Sequence, residues 1–217
     1  MTSVRFLTHN KVRLALHELR ASDAGRPLLL LHGLGESSFD HVPVWAHDWP
    51  GAVHALDFTG HGGSTVPLGG GYAAEILLAD ADAALAALGE CTVVGRGLGA
   101  YVALLLAGAR PSLVRGAVLC DGPGLAGGAV APTSQSFFVL PAARRAPDPY
   151  ALFELSRDLR PPDYATTFVR LALEGSAMRE PIAVAAIVRP PWLAAVVDQV
   201  GVTTATIDEA LRAFSAA

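Results

Sequence analysis

Attack on a carbonyl needs a nucleophile, a base to take its proton, and N–H donors for the charge that develops on oxygen. The segment of this sequence best arranged for such work is Gly95-Arg96-Gly97-Leu98-Gly99, between the apolar runs 91–94 and 100–109. The glycines bound a turn from strand to helix with a single residue at its centre. Here that residue is Gly97, which has no side chain to attack with. Arg96 precedes it, and a guanidinium there is able to hold an anionic ligand by paired hydrogen bonds. An arginine lying over the helix or paired with a nearby acid is the commoner arrangement. All seven histidines (His9, His17, His32, His41, His47, His54 and His61) fall within the first 61 of 217 residues. Asp40, His41, His47 and Asp48 flank Trp45 and Trp49, but their spacing fits no standard metal site, and no metal or cofactor is expected. Cys91 and Cys120 form no CxxC pair and read as buried free thiols.

The elements that must position these residues follow from the apolar pattern. Residues 12–19 alternate imperfectly after the turn-like His9-Asn10, so the chain is expected to open with a β-hairpin. Residues 27–31 are continuously apolar and end in His32-Gly33-Leu34-Gly35, as a strand buried on both faces would. Residues 53–58, 91–94 and 114–120 repeat that pattern. Between them, 73–88 place Leu77, Ala81, Ala84, Leu85 and Leu88 on one helical face, and 100–109 form an apolar helix stopped by Pro111. This alternation predicts a mostly parallel sheet with helices on both faces.

From residue 123 to 149 the chain turns rich in Gly, Pro, Ala and Ser around Phe137 and Phe138, which reads as a lid-like excursion. Helices are expected at 150–159, 163–173, around Pro190-Pro191 and at 206–214, the last with a capping box between Thr206 and Glu209. Residues 181–188 fit either a strand or a buried helix. No strand, acid and strand succession is evident after Asp121; if the sheet ends at 114–120, that strand is an edge, to be covered by the C-terminal helices or by a second chain. The reading is one unit, 1–217, with a core at 1–122 and a lid-like and helical part at 123–217.

Composition narrows the class. At 52% hydrophobic and 17% charged the chain is expected to fold, and its apolar runs are too short to cross a bilayer. The net charge of −4, with Lys11 the only lysine among sixteen basic residues, argues against nucleic acid as a partner. No secretion signal is evident at the N-terminus, which reads as cytoplasmic.

Three motifs in order, His32-Gly33-Leu34-Gly35, Asp57-Phe58-Thr59-Gly60-His61-Gly62-Gly63-Ser64 and Gly95-Arg96-Gly97-Leu98-Gly99, resemble the N-terminal two thirds of an α/β-hydrolase across about residues 4 to 122. Extended to Gly95-Arg96-Gly97-Leu98-Gly99-Ala100-Tyr101, the last motif is also similar to the same segment of the N-myc downstream-regulated family, whose members also lack the nucleophile. The resemblance implies a nucleophile at Gly97, a general base after the final strand, and an oxyanion hole from the backbone N–H groups of Leu34 and Leu98. Against that family's closing succession of strand, acid and strand, residues 123–217 show no match, so the last strands are expected to be missing or replaced by helices, giving a C-terminally abbreviated member.

Weak catalytic candidates are Asp121, where some members carry an alternative acid but where an acid capping the Gly122-Pro123-Gly124 turn is the plainer reading, and His32 and His61, both suited to packing and turn roles. The expectation is a non-catalytic protein that binds a small molecule, a carboxylate or a protein partner, with Leu34, Leu98 and Arg96 as ligand contacts. The rival is an atypical hydrolase, lyase or isomerase using non-triad residues or a base from another chain. Homodimerisation at the sheet edge follows as a side expectation.

Overall fold

A computed structural model describes residues 3–9, 11–128 and 145–216. Phe137 and Phe138, and most of the lid-like excursion, lie outside them. The hairpin is β1 (Ser3–His9) and β2 (Val12–Arg20), followed by β3 (Leu28–Leu31), a single 3-10 turn (Val44–Ala46) and β4 (Val53–Leu56). Then come α1 (Ala74–Leu88), β5 (Cys91–Arg96), α2 (Leu98–Ala109), β6 (Val114–Cys120), α3 (Pro149–Arg157) and α4 (Pro162–Gly175). The chain closes with β7 (Ile182–Val184), α5 (Pro191–Val197), β8 (Val202–Thr204) and α6 (Ile207–Ser215). The eight strands make one sheet in the order β1-β2-β4-β3-β5-β6-β7-β8, antiparallel from β1 through β4 and parallel from there on.

The four leucines of β3 show why the run folds as it does. Successive strand side chains point to opposite faces, and Leu29 and Leu31 enter the core under α1 and α2 while Leu28 and Leu30 enter the core on the other face. A strand with layers on both sides needs apolar residues at every position. α2 is buried nearly all round, because it is packed between the sheet, α1 and α4. Glycine brings the layers together: a Cβ on Gly108 would lie 2.6 Å from the carbonyl oxygen of Phe168 in α4. On the other face the cover is thinner, consisting of α6 and the segment around the 3-10 turn. The Thr206 and Glu209 capping box starts α6 as its spacing predicts.

The C-terminal part corrects the sequence reading. β7 pairs with β6, from Ala117 opposite Ile182 to Leu119 opposite Val184, and β8 pairs with β7. The final strands are therefore present, residues 181–188 contain a strand, and β6 is not an edge. With β6 covered, that ground for a homodimer is gone. No helix among the described residues is long and apolar enough to cross a membrane.

Candidate functional site

The elbow between β5 and α2 is drawn as tightly as its glycines allow. A Cβ on Gly95 would lie 2.5 Å from the carbonyl carbon of Gly99, and one on Gly99 would lie 2.5 Å from the carbonyl oxygen of Leu31. Gly97 stands between them at φ 59° and ψ −118°, a region that residues with a side chain occupy only under strain. Backbone also fills the space above it: a Cβ on Gly97 would collide with the carbonyl oxygen of Pro123 and lie 2.6 Å from the carbonyl carbon of Gly122.

That Pro123 oxygen accepts two hydrogen bonds, from the N–H of Leu34 at 3.0 Å and from the N–H of Leu98 at 2.9 Å. These are the two donors of the expected oxyanion hole, and an internal carbonyl engages both. Neighbouring contacts fix the loop that brings it there. The buried Arg160 guanidinium donates to the carbonyls of Gly124 and Leu125, and the Trp192 indole N–H donates to Leu125 at 2.8 Å. The Arg160 guanidinium carbon also sits 4.9 Å from the centre of the Tyr101 ring.

The other candidates are equally committed. His32 is buried; its Nδ1 lies 2.7 Å from the Gly33 carbonyl and its Nε2 accepts from the Phe58 N–H at 3.1 Å. Burial, with His61 close by, pushes its pKa down to about 4, so the ring is neutral. A neutral ring that accepts at Nε2 donates from Nδ1. His61 accepts from the Gly35 N–H at 3.2 Å and donates to the Thr59 carbonyl at 3.1 Å, and burial lowers its pKa too. Neither imidazole keeps a free nitrogen for proton transfer. Asp121 was expected to cap the Gly122-Pro123-Gly124 turn; its carboxylate instead accepts from the N–H groups of Ile187 and Val188, at 2.6 and 3.0 Å, in the loop after β7. Arg96 pairs with Glu36 at 2.7 Å, and Glu36 accepts from the Gly33 N–H with its other oxygen.

Asp57, in the second motif, is a structural hub. Burial opposes its charge, but the N–H groups of Gly63 and Ser38 and the ring of His17 hold its pKa below the ordinary value. The loops where the resemblance places an acid and a histidine are residues 185–190 after β7 and 205–206 after β8. Neither contains Asp, Glu or His. No group of three or more His, Cys, Asp or Glu side chains able to hold a metal ion occurs among the described residues.

Sequence reasoning missed Pro123, Glu36 and Arg160. Pro123 acts through a backbone oxygen, which leaves no residue-type signature. Glu36 and Arg160 act through contacts distant in sequence, 60 residues apart for Glu36 and Arg96.

A family model described as "Alpha/beta hydrolase family" matches residues 28–217. No curated protein matches the chain. Among solved structures, E-2-(acetamidomethylene)succinate hydrolase is similar at 28% identity with a TM-score of 0.49, over 56% of this chain and 45% of that one. A hydrolase from Pseudomonas aeruginosa PA01 is similar at 27% identity with a TM-score of 0.46, over 56% of this chain and 48% of that one. Epoxide hydrolase A from Mycobacterium thermoresistibile is similar at 25% identity with a TM-score of 0.44, over 55% and 39%. In each case the match spans less than half the length of the solved chain.

Proposed function

The chain belongs to the alpha/beta hydrolase family, and from that premise we propose that it is a non-catalytic member, a binding protein whose elbow serves as a structural joint. One observation carries the reading: the carbonyl of Pro123 occupies the space a nucleophile's Cβ would need and accepts from both Leu34 and Leu98 N–H groups. An acyl oxyanion needs those same donors. The loops after β7 and β8 add to it, since neither holds an acid or an imidazole. Neutral, doubly bonded His32 and His61 supply no base in their place. Arg96 with Glu36 is the charged pair nearest the elbow and the place where the chain meets a ligand.

The test is a fluorophosphonate label together with a panel of acyl esters. The expected outcome is no serine labelling and no turnover above the buffer rate. Stoichiometric labelling of a serine, with turnover that survives dialysis, would overturn the reading.

A further inference from the structure

The two faces of the sheet are covered unequally. One face carries α1, α2, α4 and α5, whereas the residues between β3 and β4 form only the 3-10 turn Val44–Ala46, leaving that turn's segment and α6 to cover the other face. Under this thin cover lies a cavity of about 350 Å³, at the carboxyl ends of β3, β5 and β6. Crevices at the carboxyl ends of parallel strands are where open α/β sheets take ligands. This one lies on the face opposite α2.

The lining sets the chemistry of the occupant. Leu30, Val94 and Cys120 point into the cavity from the strands, and Ile207 closes it from α6. Phe39 and Trp45 form another wall, edge to face with ring centres 6.4 Å apart. Burial pushes the Cys120 thiol up to about 12, so it is a neutral, apolar part of the wall. Two charged residues reach the lining, Arg96 and Asp121. Both Asp121 oxygens already accept backbone N–H groups. Arg96 uses one terminal nitrogen for Glu36, and the rest of its guanidinium makes no hydrogen bond among the described residues. The cavity is thus apolar inside, aromatic on one wall, and offers an available cationic edge at its rim. Its volume exceeds twice that of an apolar cavity of about 150 Å³ that takes up benzene.

We propose that this cavity binds a small aromatic carboxylate, with the ring between the Phe39–Trp45 wall and the strand side chains and the carboxylate on the free edge of Arg96. This deepens the binding-protein reading by giving the ligand a place away from the filled elbow, and it rests on that reading only in that the ligand leaves unchanged.

The experiment measures calorimetric binding of naphthalene-2-carboxylate, its neutral amide and 2-naphthylmethylammonium to the full chain. The carboxylate is expected to bind at least tenfold more tightly than the amide, with the ammonium weakest. Arg96→Gln should remove the preference for the carboxylate over the amide. Val94→Phe fills the cavity and should abolish binding of both; Ala185→Leu, which enters the lining just past β7, serves if Val94→Phe does not fold. No carboxylate binding at millimolar concentration overturns the proposal. So does wild-type affinity in a folded cavity-filling variant, or an unchanged carboxylate preference in Arg96→Gln. Binding of naphthalene-2-carboxylate needs no turnover, so hydrolysis of its esters would count against the non-catalytic reading alone.

Discussion

Replacing Gly97 by serine should damage the protein without giving it an activity. A Cβ at this position collides with the Pro123 carbonyl oxygen and lies 2.6 and 2.8 Å from the carbonyl carbons of Gly122 and Pro123, all of them backbone atoms. The loop must retreat, and the Leu34 and Leu98 N–H groups lose their acceptor. Holding a residue with a side chain at φ 59° costs about 1–3 kcal/mol. Each deprived N–H costs about 1 kcal/mol if water reaches it and up to about 3 if none does. The sum is roughly 3–9 kcal/mol, a large share of the stability of an ordinary domain. At roughly 2–4 °C per kcal/mol for a chain of this size, Tm should fall on the order of 10–20 °C. Gly97→Ala carries the same Cβ without the hydroxyl and should melt with the serine variant. Neither should hydrolyse p-nitrophenyl esters above background. A Gly97→Ala protein that melts with the wild type would refute the filled elbow. Ester turnover by Gly97→Ser would show that a working base had been overlooked.

Two further predictions concern the elbow's surroundings. Arg160→Gln removes the donor that holds the carbonyls of Gly124 and Leu125; amide exchange at Leu34 and Leu98, slow in the wild type, should accelerate at least tenfold by NMR, while amides in β3 stay protected. The second prediction uses Asp80, buried on α1, where it accepts from the Thr59 N–H and hydroxyl, and where burial raises its pKa to about 6. Stability from a raised carboxyl is present below pH 3.8 and lost as pH rises through 6, whereas stability from His32, lowered to about 4, is present above 6.5 and lost as pH falls through 4. Each is about 3 kcal/mol and they largely cancel between pH 4 and 6.5. Asp80→Asn should therefore leave stability at pH 7.5 unchanged or higher, and steepen its loss toward pH 4 by about 3 kcal/mol in urea titrations. A pH profile parallel to the wild type would refute this.

The sequence made the first six strands and the elbow legible because their signals are local. Four leucines in β3 alternate into two cores, and Gly95 and Gly99 sit where helix and strand nearly touch. β7 and β8 were harder for a physical reason: three residues each, Ile-Ala-Val and Val-Thr-Thr, are too short to show a period, and their strand character comes from pairing with β6 and with each other. At the candidate site the sequence shows which side chains are absent, and not what fills the space. Absence of a side chain at residue 97 can be read from one letter. The carbonyl of Pro123 reaches that position only because the chain returns from β6, and Asp121 looked like a cap for its own turn because its partners, Ile187 and Val188, lie 66 and 67 residues away.

On the proposed reading, the missing nucleophile and the filled oxyanion hole are one structural state. Pro123 can place its oxygen between Leu34 and Leu98 only when residue 97 lacks a Cβ, so a serine there and the carbonyl in that position exclude each other. Glycine at 97 serves the fold twice, by accepting a positive φ and by admitting the acceptor that satisfies the Leu34 and Leu98 N–H groups. The absent acid and imidazole are a separate matter: the loop after β7 is tied to the elbow loop through the Asp121 carboxylate, which accepts backbone N–H groups and so sets no side-chain type there. Restoring serine chemistry therefore requires the loop at residues 122–125 to be moved before any side chain is added. The order is testable in itself: a serine introduced together with a rebuilt loop should recover the stability that the serine alone forfeits, even while the protein stays inactive for want of a base.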